Sequence, residues 1–158
     1  MRLSARVDYA LRAVVELAAE GGNGRDPAVR PVTADRLATA QAIPPKFLES
    51  ILLQLRRGGV VTAQRGPEGG YRLARPADEI SLAEVIRVID GPLANVRGQR
   101  PEHVGYEGAA EALQDVWIAL RANVRSVLEG VTLAHIANQQ LPKRIANLAQ
   151  KDDARLRR

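Results

Sequence analysis

Apolar residues recur along the start of the chain with the period of an α-helix. Leu3, Val7, Ala10, Leu11, Val14, Leu17 and Ala18 fall on one side of a helical wheel, which predicts a helix from about Ser4 to Ala19 that buries that side. Gly21 to Pro31 is rich in glycine and proline and reads as a connector. A second helix opens at Thr33, whose hydroxyl can accept from an orphan amide one turn in, with Val32 and Leu37 at the staple positions around that cap. Gln41-Ala42-Ile43 breaks this helix, and Pro44-Pro45 starts another, because proline suits a first helical turn. Leu48, Ile51, Leu52 and Leu55 then follow the i, i+3, i+4, i+7 rule and form one buried stripe. Lys46, Glu49, Ser50 and Arg57 lie on the opposite face. Gly58-Gly59 ends the helix, Val60 to Arg65 is β-prone, Gly66-Pro67-Glu68-Gly69-Gly70 is a turn, and Tyr71-Arg72-Leu73 returns as a second strand.

Helix, turn, helix and basic-flanked hairpin together make a winged helix-turn-helix, a module whose natural target is duplex DNA. Winged helices also bind other proteins, so the fold alone does not establish contact with DNA. The exposed chemistry favours DNA: a cation, a carboxylate and a hydroxyl share one face of the second helix, and Arg65 and Arg72 stand beside the hairpin tip. Leu53 fits this face poorly, and either a thymine methyl or a neighbouring element is its partner.

Beyond the hairpin, Ser81-Leu82-Ala83-Glu84 has the form of a capping box with Ile80 and Val85 as its staple, and the helix it opens ends by Gly91-Pro92. Asn95 to Gly108 is a charged loop too long for a bare turn. A longer helix from about Ala109 to Glu129 carries a continuous apolar stripe of Leu113, Val116, Trp117, Leu120, Val124, Val127 and Leu128. A small winged domain does not need a helix of that length, so it reads as a dimerisation arm. The competing reading folds it back onto its own domain. Thr132 caps a short helix ending at Pro142, with Val131 and Ile136 as staple. The expected fold is mainly α with a small β-wing: a winged helix-turn-helix domain plus a long C-terminal dimerisation helix.

Charge divides the chain the same way. Residues 1–76, the expected DNA-binding domain, carry 12 basic and 7 acidic side chains; residues 77–142, with the linker helix, loop and dimerisation helix, carry 5 and 9. Residues 143–158 carry 6 and 2 and read as a basic, mobile tail. Such asymmetry suits a DNA reader with a separate part that does not touch DNA. Cysteine is absent, which excludes disulfides, thiol catalysis and cysteine-ligated metal centres. There is no long apolar run to span a membrane, and the acidic residues Asp8, Glu16 and Glu20 argue against a targeting segment, so a cytoplasmic protein is expected. His103 and His135 lie in different elements without partners at metal spacing, and no phosphate loop or nucleophile elbow is present. An enzyme is not expected.

The segments MRLSARVDYALRAV, LESILLQLRRGGVV, QRGPEGGYRLARP, SLAEVIRVIDG and DVWIALRANVRSVLEGVTLAHIANQQ resemble the Rrf2 family of bacterial transcription regulators, over about residues 1–140. The resemblance implies a homodimer whose long helices pair across the subunits and a recognition helix running from Pro45 to Arg57. It places Lys46 and Glu49 nearest base edges, where a carboxylate can accept from a cytosine amino group. It sets Arg65 in the minor groove and brings Arg2 and Arg6 to phosphates. Many family members hold an iron–sulfur cluster on three cysteines in the loop before the dimer helix. Here Gly98 stands where the first thiolate is expected, and Asp8 and His103 cannot replace three thiolates. No cofactor is therefore expected, and the chain resembles the cysteine-poor branch, whose signal is a metabolite or a partner protein. The Asn95–Gly108 loop is the candidate effector region. The expected function is a sequence-specific, homodimeric DNA-binding repressor acting on a palindromic operator; the alternative is a winged-helix protein-interaction module without operator binding.

Overall fold

The computed structural model describes residues 2–21 and 26–156. Helix α1 spans Ala5–Glu20, and Ser4 caps it by accepting from the Val7 amide at 3.1 Å. Val7, Ala10, Val14, Leu17 and Ala18 are buried as their spacing predicts, joined by Ala13. Leu3 is 55% exposed, contrary to the periodicity, because it precedes the cap and lies outside the helix. Leu11 is half-buried. Positions 22–25 of the predicted connector lie outside the described residues, as do the last two residues of the basic tail.

Helix α2, Ala34–Gln41, is capped by Thr33, and both staple residues, Val32 and Leu37, are buried. Ala42 turns the chain in the left-handed region at φ 50°, while the Ile43 amide still reaches the Ala38 carbonyl. Helix α3 follows at Pro45–Arg57 and buries Leu48, Ile51, Leu52 and Leu55. Strands β1, Val61–Gln64, and β2, Gly70–Leu73, pair antiparallel, with Val61 opposite Leu73 and Gln64 opposite Gly70. A third backbone segment joins this hairpin, because Val32 and Tyr71 exchange amide–carbonyl bonds of 2.9 and 2.7 Å. The wing is thereby tied to the entrance of α2.

Helix α4, Leu82–Asp90, is capped by Ser81, which accepts from the Glu84 amide. The expected reciprocal half of the capping box is replaced: the Glu84 carboxylate is engaged by Arg75. Between Leu93 and Gly108 the chain is ordered by local bonds. Val96 and Gln99 pair around Arg97 and Gly98, both at positive φ, which is the geometry of a tight two-residue turn. Pro101–His103 forms a single 3-10 turn packed against the next helix.

Helix α5, Leu113–Leu128, matches the stripe but starts later than the expected Ala109, since Gly108–Ala110 is a separate 3-10 turn. Val124 and Leu128 pack against the core, whereas Leu113, Val116, Ile118 and Leu120 are exposed. The arm is thus rooted by its last turns and bare along its first ones. Helix α6, Leu133–Ala137, returns to lie on α1, and the Ile80–Leu82 segment pairs with Val131–Leu133 through bonds of 2.9 and 3.0 Å. Its capping box is complete, with His135 supplying the reciprocal partner: ring Nδ1 accepts from the Thr132 amide at 3.0 Å. The helix ends well before Pro142, which instead opens α7, Lys143–Ala149; a last turn, α8, covers Asp152–Arg155. One hydrophobic core contains residues of α1 to α4, the hairpin and α6, so the core itself crosses the charge boundary at residue 76.

Gly70 permits the approach of the third segment, because a Cβ there would lie 2.5 Å from the Val32 carbonyl oxygen. Gly70→Ala is expected to lower stability by about 1–3 kcal/mol through this backbone clash. Gly105→Ala, whose Cβ meets nothing within 4 Å, should stay within about 0.5 kcal/mol of the parent. Urea unfolding of the two variants would check this; equal midpoints would show that the wing is not pinned at Gly70.

Candidate nucleic-acid interface

The outer face of α3 is built by spacing. Lys46, Glu49, Ser50, Leu53 and Arg57 stand at i, i+3, i+4, i+7 and i+11, one stripe of a helix, and all five are exposed. Leu53 is 45% exposed among these polar side chains. Arg56 and Arg57 close the helix at its carbonyl end, where cations suit the dipole.

Side chains behind α3 hold it in place. Arg6 of α1 donates to Ser50 Oγ at 3.0 Å and to Gln54 Oε1 at 2.9 Å. Gln54 in turn donates to the Val88 and Ile89 carbonyls at the end of α4, at 3.0 and 3.1 Å. Helix α3 is therefore bonded to α1 on one side and to α4 on the other. Gly58 tightens the second junction, since a Cβ there would lie 2.6 Å from Val88 Cγ1. Arg12 steadies the preceding helix by donating to the Gln41 carbonyl at 2.8 Å, while its other nitrogen pairs with Asp8. Arg36 and Glu20 join α2 to α1 at 2.7 Å, which raises the Arg36 pKa above its ordinary value, first through that hydrogen bond and then through charge.

The residues selected from the sequence separate into groups. Lys46, Glu49, Ser50 and Arg57 share the α3 stripe, and Arg6 touches it through Ser50. Arg65 is exposed at the hairpin tip, which begins directly beyond α3 because the Val60 amide bonds the Leu55 carbonyl. Arg72 is placed differently: its guanidinium is half-buried and donates to the Pro27 carbonyl at 2.9 Å. It braces the connector from behind the wing. Arg2 is exposed, but it borders Pro92, Asn95, Trp117 and Leu120, near the root of the arm. Two residues of this surface were not singled out from the sequence. Gln54 lies one turn beyond Ser50 and reads as another polar surface position. Phe47, 52% exposed beside Tyr9 at a ring separation of 6.2 Å, was legible only as an aromatic following Lys46.

A family model described as Rrf2, iron-dependent transcriptional regulator, matches residues 3–139. The chain belongs to the Rrf2 family. A protein of Mycobacterium tuberculosis, Rv1287, named by inference as an HTH-type transcriptional regulator, is 51% identical over 98% of this chain and 91% of its own length. The HTH-type transcriptional regulator IscR of Pectobacterium carotovorum is 31% identical over 100% of this chain and 90% of its own. Among solved structures, CymR, the global cysteine regulator of Bacillus subtilis, superposes with a TM-score of 0.72 at 29% identity, covering 89% of this chain and 98% of that one. This Rrf2 protein is thus a transcriptional regulator with a DNA-binding fold, and not an enzyme. No helix among the described residues is long and apolar enough to cross a membrane.

The iron implied by the family description does not fit the residues present. Gly98 offers no ligand, His103 is exposed on its 3-10 turn, and the Asp8 carboxylate is held by Arg12 at 3.0 Å. Among the described residues no three or more histidine, cysteine or acidic side chains gather where they could hold a metal.

Gln54 is the bond between α3 and the body of the domain. Gln54→Ala removes its bonds to the two α4 carbonyls and its link to Arg6, so a loss of about 1–3 kcal/mol is expected. Arg57→Ala, on the open stripe, should change stability by less than about 0.5 kcal/mol. Denaturant unfolding of both compares them directly, and an unchanged Gln54→Ala midpoint would remove the tether from the account.

Proposed function

We propose that this Rrf2 protein is a cytoplasmic homodimer that binds double-stranded DNA at a palindromic operator and represses transcription by occupying it. The observation that carries the reading is the exposed α3 stripe, in which Lys46, Glu49, Ser50 and Arg57 point outward while Arg6 and Gln54 fix the helix from behind. Rigid support of this kind matters because a base contact must be held to within a fraction of an ångström. In this reading Glu49 accepts from a cytosine amino group, Lys46 and Ser50 flank it, and Arg65 enters the minor groove. Leu53 meets a thymine methyl. Arg57 and Arg2 position the protein on phosphates, while Arg6, bonded to Ser50 and Gln54, holds α3 in place. Arg72 keeps the wing at its angle through Pro27 and contributes little charge to the groove.

The dimer is supported by α5, whose Leu113, Val116 and Leu120 are all exposed on one face within three turns. A second copy related by a two-fold axis would cover that face, and the same axis would present two recognition helices to successive major grooves about 34 Å apart. The regulatory signal is assigned to the loop between α4 and α5, as a metabolite or partner protein, with no iron–sulfur cluster. One observation favours the other reading, a protein-interaction module: Phe47 and Leu53 give α3 an apolar component that a protein surface would also cover. A steep loss of DNA affinity with added salt, and a sequence preference at fixed salt, distinguish the two readings.

Charging the bare part of the arm tests assembly. Val116→Glu with Leu120→Glu avoids Val124, which packs on the core, and should yield folded monomers that bind DNA far more weakly. Light scattering checks the mass at micromolar concentration, and a monomeric parent protein would refute the dimer.

Substitutions on the reading surface have distinct signatures. Arg65→Ala should weaken binding and reduce the salt slope by about one unit, whereas Arg72→Ala should leave the slope nearly unchanged. Glu49→Ala should relax preference at one base pair per half-site by about 1–3 kcal/mol while keeping or raising non-specific affinity, since it removes a charge that repels phosphate. Titration of operator and scrambled DNA across a salt series reads all three variants. If Arg65→Ala and Glu49→Ala leave both DNAs bound as before, the protein-interaction reading prevails.

A further inference from the structure

Residues 77–142 are acidic overall, yet four of their five arginines converge on one cavity. It has a volume of about 380 Å³ and is lined by Arg87 of α4, Pro92 and Leu93 of the turn that follows, Arg100 of the loop, and Arg121 and Arg125 of α5. That size lies within the range of roughly 300–1,000 Å³ common for small-molecule sites. Two carboxylates offset part of the charge. Glu129 accepts from Arg87 and, at 3.0 Å, from Arg125, and Glu102 pairs with Arg121 at 2.6 Å. Arg100 is exposed and has no carboxylate partner among the described residues. The cavity therefore brings four guanidinium groups against two carboxylates.

Both carboxyls respond to this field. That of Glu129 is held below the usual carboxylate range by Arg87 and then Arg125, and that of Glu102 by its own backbone amide and then by Arg121. Guanidinium forks match carboxylate and phosphate oxygens in pairs, and they do so best where several converge. We propose that this cavity binds a compact anion of at least two negative charges, a phosphate-bearing or polycarboxylate metabolite, and that its occupancy is transmitted to the recognition helix. The route is short. Arg87 adjoins Val88, whose side chain abuts Gly58 at the end of α3, and the Val88 and Ile89 carbonyls are those that Gln54 bonds. An anion that draws Arg87 toward Arg100 and Arg125 pulls on the turn of α4 that holds α3, and couples it to the arm. The binding site stands by itself; its coupling to α3 rests on the DNA-binding reading above.

Calorimetry on the full-length protein with inorganic phosphate, pyrophosphate and citrate, at fixed ionic strength, tests the site. Saturable binding of at least one probe, at one per subunit, is expected. Preference for pyrophosphate identifies a phosphate-bearing ligand, and preference for citrate a polycarboxylate. Arg100→Gln should weaken that binding about tenfold, the equivalent of one lost charge-assisted hydrogen bond, with unchanged thermal stability and unchanged DNA affinity in the absence of the anion. Anisotropy with labelled operator should show the anion shifting DNA affinity severalfold in the parent and not in Arg100→Gln, a control that removes simple competition with phosphates. No saturable binding by the parent, or binding indifferent to both Arg100→Gln and Arg125→Gln, overturns the site. Loss of DNA affinity by Arg100→Gln without anion would make these arginines DNA contacts, and anion binding only by the Val116→Glu/Leu120→Glu monomer would give the cavity to a second copy of the chain; either result overturns the proposal. An anion bound by the parent without effect on its DNA affinity overturns the coupling. Anion binding by a protein that binds no DNA would uphold the site and end the DNA reading, so the two failures are distinguishable.

Discussion

Helix α1 is enclosed by α2, α3, α4, α6 and the second wing strand, and that enclosure is possible only because much of its surface is small. Ala10, Ala13 and Ala18 sit among Val7, Val14 and Leu17, all with 2% or less of their surface exposed. Alanine at such positions lets neighbouring backbones approach closely, and the larger residues between them fill the gaps at the density of a protein interior. The winged domain is organised around this one helix. Helix α3 is bonded to it through Arg6, the preceding helix through Arg12 and the Glu20–Arg36 pair, and the returning α6 lies along it. A larger side chain at Ala13 would separate several of these junctions at once.

The polar contacts around α3 have a different role from the core. Surface ion pairs contribute little to stability, commonly less than about 1 kcal/mol, so Asp8–Arg12 and Arg36–Glu20 do not hold the fold together. Their geometry fixes angle and register. Arg12 meets the last carbonyl of α2, Gln54 meets two carbonyls at the end of α4, and Arg72 meets Pro27. In each case a long side chain satisfies backbone carbonyls at a helix end or in a connector. That use constrains direction, because a hydrogen bond weakens steeply as its N–H···O angle bends.

The arm divides along its length. Its last turns carry Val124 and Leu128 into the core, so α5 begins from a rigid root, while Val116 and Leu120 remain bare. The intervening loop is bonded to α5: Gln114 donates to the Pro101 and Glu102 carbonyls, and Trp117 Nε1 donates to Tyr106 at 2.9 Å. The arginine cavity joins this unit to α4, with one arginine on α4 and the others on the loop and arm. A ligand there would touch all three elements.

Periodicity located α1 and α3, since an apolar face at intervals of three and four residues has one stable burial, and Leu48, Ile51, Leu52 and Leu55 obey it completely, whereas the tail read as mobile folds into α7 and α8. The caps at Thr33, Ser81 and Thr132 and the glycine-rich hairpin were equally legible, because each acts on backbone groups only a few residues away. The outward stripe of Lys46, Glu49, Ser50 and Arg57 followed from the same wheel. Contacts between residues far apart in the chain required the tertiary structure. Nothing local distinguishes Arg65, which is exposed, from Arg72, which is bonded to Pro27 some 45 residues away. Nothing local shows that Glu84 prefers Arg75 to its own cap, that Val32 adds a third segment to the wing, or that Gln54 links α3 to α4. Long polar side chains have many partners within reach, and only the packed backbone decides which of them is close enough to bond.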